Sequence, residues 1–409
     1  MKTACTAAAA VCCIALSAAG ALEKLALMDS LDMAYWCDVE TKEGTLKLID
    51  DCDRPHSTGI LWRDKGGGGW MRYHSKEEMS PIGSEYIVDK RRVPSRMGSY
   101  WDLRLDNCGF DVFAFVFGEL ARRGRAYGIH QTFEENHTSN HSQSLWTLAH
   151  PQFWNCTRGA LPSPGTSSLA YPEVMEHKFR FADEHLALKP QKIFLDMWRC
   201  GSWNIEHEYV KPNVDKWRKL YPGEELPVAT DDRWIRLCSE NTMKYLREYG
   251  RRCKAAGVDF VIGLPTSGQT GHAVTRKQFP GQERDLNGIF AWREYGIDWK
   301  QLAREGAIAG VWIMDVKYDP ARVWESLRET LDYVKANASG RKCYFGLNAY
   351  NMRHESYKEY AKTAGCTNVE AVRNLMKTVT EAGYDGVVYE CVDCHCYPEP
   401  DVCEELGKW

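Results

Sequence analysis

The chain alternates short apolar runs with longer amphipathic stretches from Leu25 to Glu390. Apolar runs of strand length are typical of parallel strands that are buried on both faces. Eight strands are predicted at Leu25–Met28, Gly59–Trp62, Arg125–Ile129, Lys192–Asp196, Val258–Leu264, Gly310–Asp315, Cys343–Leu347 and Gly386–Glu390. Their alternation with helices predicts the α/β class and, more narrowly, a (β/α)8 TIM barrel with long βα-loop insertions.

The predicted helices have recognisable boundary residues. Asp231 and Asp232 precede the stretch Arg233–Ala256, whose apolar residues recur at helical spacing, and Gly257 ends it. Further helices are predicted at Pro172–Leu186, Pro320–Lys335 and Val369–Ala382. No long linker rich in proline, glycine and serine divides the chain, so residues 22–409 are predicted to form one domain.

Three segments are too long and too aromatic to be plain connections. They are Arg63–Asp106, Glu134–Ala170 and Arg199–Thr230, and each follows the C-terminal end of a predicted strand. Barrel enzymes build their sites from the loops at this end of the barrel, and long loops in compact domains are usually functional. The three segments are therefore predicted to form a substrate cleft.

The first 21 residues have the pattern of a secretory signal peptide. Met1-Lys2 precede an almost unbroken apolar run that ends in Ala19-Gly20-Ala21, a small-residue sequence of the kind that signal peptidase accepts. The protein is therefore predicted to be secreted or periplasmic. No second apolar segment reaches the length needed to span a bilayer, so no membrane anchor is predicted.

Cysteines are concentrated near the C-terminus. Of the 16 cysteines, three lie in the signal peptide and 13 remain in the exported chain. In an oxidising compartment, close spacing predicts one or two disulfides that hold the tail, among Cys391, Cys394, Cys396 and Cys403. A zinc site with His395 is the alternative, although a second C-x-x-C pair is missing. The denatured, unreduced protein is expected to titrate fewer than 13 thiols.

Composition disfavours several classes of partner. The net charge is −4, and no stripe of lysine and arginine suggests binding to nucleic acid. The glycine run Gly66–Gly69 lacks the lysine and serine or threonine of a phosphate-binding loop, so no cofactor is predicted. The 15 tryptophans and 20 tyrosines are a large aromatic content. Most must pack in the core, and some can stack on sugar rings.

Five segments occur in an order that is similar to one group of proteins. They are Trp62–Gly69, His150–Trp154, Leu169–Val174, Ile193–Asp196 and Asp232–Arg236. The ordered set resembles the family-10-like group of glycosyl-hydrolase-like barrel proteins, distant relatives of the α-amylase and α-galactosidase groups. The likeness covers most of the exported chain. It implies a (β/α)8 barrel and a carbohydrate-active role, and it bears more directly on the fold than on the chemistry.

Glycoside hydrolysis uses two carboxyl groups, one on each side of the scissile bond. Asp196, Asp315 and Glu390 follow or end predicted strands and are the candidate catalytic residues. The resemblance implies that Asp196 is the nucleophile, although a structural ion pair with Arg199 is an alternative. It also implies an acid after the sixth strand, where Asp315 stands. Glu390 is the other candidate acid, and Asp315 has the alternative role of capping the next helix.

Seven residues are predicted to bind substrate near these acids. They are Arg63, His130, Glu134, Trp198, Arg199, Trp203 and Asn348. His137 and His141, with Glu134, suggest a metal site, but they lie in a predicted loop, where spacing by four does not bring side chains together. No metal is therefore predicted.

The leading prediction is a secreted glycoside hydrolase that cleaves a polysaccharide or an oligosaccharide. A carbohydrate-binding barrel that has lost its acid pair is the alternative, and a metal-dependent hydrolase is the third. Two well-placed carboxylates favour the enzyme over the binding protein.

Overall fold

The eight predicted strands form one closed ring of parallel strands in the computed structural model of the chain. The structure describes residues 22–28, 41–52, 57–64, 110–133, 136–137, 142–143, 145–196, 205–264, 295–314, 316, 318–348, 357–390 and 400–409. The strands within these ranges are β1 Glu23–Met28, β2 Gly59–Arg63, β3 Ala126–Thr132, β4 Asn136–His137, β5 Ser142–Gln143, β6 Trp154–Cys156, β7 Pro162–Ser167, β8 Lys192–Asp196, β9 Asp259–Leu264, β10 Gly310–Met314, β11 Lys342–Asn348 and β12 Gly386–Glu390.

The ring runs in the order β1, β2, β3, β8, β9, β10, β11 and β12, and β12 pairs with β1. Each pair is parallel, so all eight C-terminal ends lie at the same end of the barrel, which we call the mouth. The predicted fold class is therefore confirmed. The bounds predicted for β8 and β12 agree with the structure residue for residue.

Helices surround the ring. Those described are α1 Lys42–Cys52, α2 Val112–Arg122, α3 Leu145–Ala149, α4 Pro172–Ala187, α5 Lys211–Leu220, α6 Asp232–Ala255, α7 Trp299–Glu305, α8 Val323–Asn337, α9 Tyr357–Ala364, α10 Asn368–Glu381 and α11 Pro400–Gly407. The predicted cap is present at α6, where the Asp231 side chain accepts a hydrogen bond from the Arg233 amide. Within the described residues, no helix is long and apolar enough to cross a membrane.

Two of the three long segments contain regular structure. The segment after β3 includes α3 and the antiparallel pair of β6 and β7, and the segment after β8 includes α5. Within the segment predicted as a long loop, Trp154 begins β6, and its indole nitrogen donates to the Thr147 carbonyl at 2.7 Å. The segment after β2 lies almost entirely outside the described residues.

A layer of apolar side chains fills the inside of the barrel. It includes Leu61, Phe194 and Trp312, with Leu25, Leu27, Val261, Tyr344 and Val388. Phe194 meets Trp312 edge to face at 5.9 Å between ring centroids. These side chains come from all parts of the ring, so the interior is a packed core, as is usual for barrels of this class.

Polar side chains close the N-terminal end of the barrel. Lys192 contacts the carboxylate of Glu23, and the Tyr344 hydroxyl donates to the same carboxylate at 3.0 Å. Beside them, the Lys342 ammonium donates to Asp259 at 2.6 Å. Burial raises the pKa of the Tyr344 hydroxyl, so this group stays protonated and remains a donor at neutral pH. These contacts form a floor beneath the apolar layer.

Helix α6 approaches the chain after α7 so closely that Gly250 has no room for a side chain. A Cβ atom at this position would lie 1.8 Å from the carbonyl oxygen of Ala307. We expect Gly250→Ala to lower the free energy of unfolding by about 2 kcal/mol, because the backbone must shift to relieve the overlap. The effect is measured by chemical unfolding.

Gly118 in α2 provides the matched control. A Cβ atom there would have no neighbour within 4 Å. Gly118→Ala is expected to leave the stability unchanged or to raise it by up to about 1 kcal/mol, because alanine has the higher helix propensity. Equal losses in the two variants would contradict the packing described at Gly250.

Candidate active site

Three polar residues lie side by side at the mouth end of neighbouring strands. Arg63 ends β2, His130 lies in β3 and Asp196 ends β8. Side chains two residues apart in a strand share a face. Leu61 and Phe194 each precede one of these residues by two positions, and both belong to the interior layer. Arg63 and Asp196 therefore extend the inner face of the barrel towards the mouth, and His130 stands between their two strands.

His130 and Asp196 are in direct contact. The Nε2 atom of His130 lies 3.1 Å from Oδ2 of Asp196, and both side chains have no solvent exposure. The ring of His130 also meets Trp312 edge to face, with 5.4 Å between the centroids. A charge in a dry, weakly polarisable surrounding interacts more strongly with its neighbour than it would in water. The contact is therefore a strong local determinant of the orientation of the Asp196 carboxylate.

The third residue of this group supplies a permanent positive charge. Arg63 is only 4% exposed, and its Cα is the register partner of that of His130. Arginine binds oxygen-rich groups through a planar set of donors. The three adjacent strands thus bring a cation, an imidazole and a carboxylate to the same end of the barrel. Their roles in a site stay predictions.

The other predicted site residues are located less completely. Asn348 and Glu390 end the neighbouring strands β11 and β12, and their Cα atoms are register partners at the mouth end. Their roles stay predictions. Five residues lie outside the described ranges: Glu134, Trp198, Arg199, Trp203 and Asp315. Asp315 follows directly after β10.

Sequence reasoning missed a second contact between a histidine and a carboxylate. Asp64 follows Arg63, and its Oδ2 lies 3.2 Å from Nε2 of His185 on α4, with both side chains fully buried. Lys178, also on α4, donates to the Phe133 carbonyl at 3.2 Å beyond the end of β3. These contacts tie α4 to the mouth ends of β2 and β3. A signal was available, because Lys178 and His185 occupy positions on the buried stripe of an amphipathic helix.

Glu208 was also missed, and it joins the segment after β3 to the segment after β8. Its carboxylate accepts hydrogen bonds from Asn155 at 2.8 Å, Ser168 at 2.7 Å and Asn213 at 3.0 Å. Its backbone forms a parallel bridge with Cys156. Glu208 is 6% exposed. We call Glu208 and its three side-chain donors the glutamate clasp, which holds two parts of the mouth together.

Nucleophilic cysteine chemistry does not fit Cys156, Cys238 or Cys343. Burial raises the pKa of Cys156 and raises that of Cys238 well above the ordinary value. It raises the pKa of Cys343 to about 12. A thiol with a raised pKa is a poor nucleophile at neutral pH, because the thiolate is the reactive form. Cys391, Cys394 and Cys396 lie outside the described ranges, so the predicted disulfides stay a prediction.

No group of three or more histidine, cysteine, aspartate or glutamate side chains in the described part of the chain is placed to hold a metal ion. Glu134 and His141 of the suggested metal set lie outside that part. The expectation that the site contains no metal therefore stays a prediction.

Comparison with solved structures shows that the fold of this chain is similar to that of known barrels. The β-galactosidase from the psychrophilic Marinomonas ef1 is similar over 95% of this chain and 58% of that chain, with a TM-score of 0.51 and 10% identity. The two chains share the (β/α)8-barrel fold. The resemblance stated from the sequence is confirmed for the fold. At this identity, the likeness carries no information about the substrate.

Two further solved structures are similar at lower TM-scores. The chitinase from Chromobacterium violaceum ATCC 12472 covers 94% of this chain and 98% of its own, with a TM-score of 0.47 and 12% identity. The α-galactosidase from Lactobacillus brevis covers 95% of this chain and 39% of its own, with a TM-score of 0.48 and 13% identity. No protein-family model and no curated protein matches the sequence.

Proposed function

We propose that the protein hydrolyses glycosidic bonds of an oligosaccharide or a polysaccharide at the mouth of the barrel. The observation that carries this proposal is the position of Asp196. This residue ends β8 at the mouth, on the inner face of the barrel, and its carboxylate lies 3.1 Å from Nε2 of His130. Barrel enzymes place catalytic residues at the C-terminal ends of their strands. A carboxylate in this position can act as the nucleophile or the base that glycoside hydrolysis requires.

The second carboxyl group is Glu390 or Asp315. Glu390 ends β12, and Asp315 follows β10. One of them donates a proton to the leaving oxygen while Asp196 acts on the sugar. Retention of anomeric configuration needs the two carboxyl groups about 5 Å apart, and inversion needs about 6.5 to 9.5 Å.

The substrate is proposed to meet the protein outside the cytoplasm. Residues 1–21 have the pattern of a signal peptide, and a polymer outside the cytoplasm is the substrate that an exported hydrolase can reach. Arg63, on the strand next to His130, suits a sugar rich in oxygen acceptors. Trp198 and Trp203 are the proposed stacking residues, because both follow β8 in a segment that begins at the mouth.

A screen for released reducing ends tests the proposal. The purified protein is incubated with a panel of neutral and sulfated polysaccharides, and Asp196→Asn protein is treated in parallel. We expect new reducing ends from at least one polysaccharide with the wild type and none with the variant. Equal release by the two proteins would contradict the proposed role of Asp196.

Two other outcomes identify the alternative functions. If the wild type is retained by a polysaccharide in affinity electrophoresis but releases no product from any of them, the protein is a carbohydrate-binding barrel. If release stops after treatment with a chelator and returns with a divalent cation, the protein is a metal-dependent hydrolase.

A further inference from the structure

We infer that His130 is a positioning residue for Asp196, which orients the carboxylate and favours its ionised form, and that it does not bind the sugar. The inference rests on the proposed function and assigns to His130 a role different from the one predicted from sequence. It follows from the contact of the two side chains and from the packing that holds the imidazole in place.

The contact places His130 Nε2 against the carboxylate. Nε2 lies 3.1 Å from Oδ2 of Asp196. An imidazole nitrogen that carries a proton attracts the ionised carboxylate more strongly than the neutral acid. A nucleophile must be ionised to react, so this attraction favours the reactive form of Asp196.

Packing prevents the imidazole from turning to another partner. The ring of His130 is fully buried and meets Trp312 edge to face across the interior. Trp312 also contacts Phe194, which lies two residues before Asp196 on β8. His130 and the residue two positions before Asp196 therefore pack against the same indole. A side chain fixed in this way preserves the position of its partner, and catalysis is sensitive to shifts of about 1 Å.

Among the residues that the structure describes, two charged groups lie on the strands that flank β3. Arg63 lies on β2 at the register position opposite His130, and Asp196 lies on β8. From β10, His130 meets the uncharged ring of Trp312. In this arrangement the imidazole stands between a permanent cation on one strand and the carboxylate on the other.

Two variants of His130 separate positioning from binding. His130→Phe keeps a flat ring against Trp312 and removes the nitrogen, whereas His130→Gln keeps a nitrogen donor that can reach Asp196. We expect His130→Phe to lower kcat at least 100-fold with KM changed less than about threefold. We expect His130→Gln to recover kcat to within about tenfold of the wild type. A loss confined to kcat is the signature of an interaction made in the transition state.

Other results would overturn the inference. If both variants raise KM and leave kcat unchanged, His130 binds the sugar. If His130→Gln is as inactive as Asp196→Asn, the imidazole itself touches the reacting atoms. If His130→Phe keeps its kcat, the contact has no role in the reaction. Circular dichroism and the unfolding midpoint show whether each variant is folded. If His130→Phe is not, it is replaced by His130→Asn, whose shorter side chain carries no nitrogen at the position of Nε2.

A measurement that does not depend on activity keeps the contact testable. The NMR signals of the His130 imidazole nitrogens are recorded in protein labelled with the nitrogen isotope, and they are assigned by their absence from the spectrum of His130→Gln. We expect these signals to move in Asp196→Asn, because the charge beside the ring is removed. Unmoved signals would contradict the contact and the inference with it. Failure of the proposed function appears separately, as the absence of product from the wild type.

Discussion

Asp196→Asn is expected to lower kcat by about 1,000-fold or more on any substrate that the wild type cleaves. Asparagine has nearly the same shape as aspartate, but it cannot be ionised and it cannot form a glycosyl ester. The amide oxygen can still face His130, so the fold is expected to remain intact. Steady-state rates with an aryl glycoside, together with the unfolding midpoint, measure both effects.

The matched control for this variant lies at the other end of the neighbouring strand. Asp259 begins β9 in the barrel floor and pairs with Lys342 at 2.6 Å. Asp259→Asn makes the same chemical change at the end of the barrel that supports stability. We expect its kcat to stay within about twofold of the wild type. A kcat for Asp196→Asn close to that of the control would remove Asp196 from the mechanism.

The configuration of the first product distinguishes two roles for Asp196. If Asp196 is a nucleophile, hydrolysis by the wild type retains the anomeric configuration, because the sugar is displaced twice. If Asp196 activates water, hydrolysis inverts the configuration, and the nucleophile assignment is wrong. In both roles Asp196→Gly opens space in which azide can attack the face opposite the leaving group, so a glycosyl azide of inverted configuration is expected, and its absence would place Asp196 away from that face.

Glu208→Ala is expected to lower the free energy of unfolding by about 3 kcal/mol or more. The substitution leaves the polar groups of Asn155, Ser168 and Asn213 without the carboxylate that accepts their hydrogen bonds. A buried donor that loses its partner costs about 1–3 kcal/mol. Chemical unfolding measures the total, and hydrogen exchange is expected to show faster opening of β6 and β7.

Two other variants limit the interpretation of this result. Glu208→Gln keeps the shape and one acceptor oxygen, so we expect an intermediate loss of stability. Glu225 is an exposed glutamate in the same segment of chain. Glu225→Ala is expected to change the stability by less than about 0.5 kcal/mol. A similar small change in Glu208→Ala would show that the glutamate clasp contributes little.

Most of the barrel could be predicted because its signals are local. The bounds of β8 and β12 follow from short apolar runs. Such a run indicates a strand that is buried on both faces, and it can be recognised without knowing which strands lie beside it. The start of α6 follows from Asp231, which caps the helix from within a few residues. Signals of this kind lie within one turn or one strand of the element that they define.

The site was predicted only in part, because its contacts join residues far apart in the sequence. Asp196 and Arg63 could be placed from the ends of their strands. The contact of Asp196 with His130 depends on the pairing of β3 with β8, which are separated by 59 residues of chain. Glu208 reaches Asn155 across 53 residues. Apolar periodicity gives the face of a strand or helix, and it does not show which two polar side chains meet.

The closure of the ring by β12 against β1 affects how the chain can be made. Glu23 and its neighbours on β1 pair on one side with β2, and on the other side with residues that are synthesised more than 350 positions later. Until Gly386–Glu390 have been synthesised, β1 has an open edge of unpaired backbone groups. An open edge invites pairing with other chains. A ribosome that stops before β12 therefore produces a chain with two such edges, and this chain is expected to aggregate.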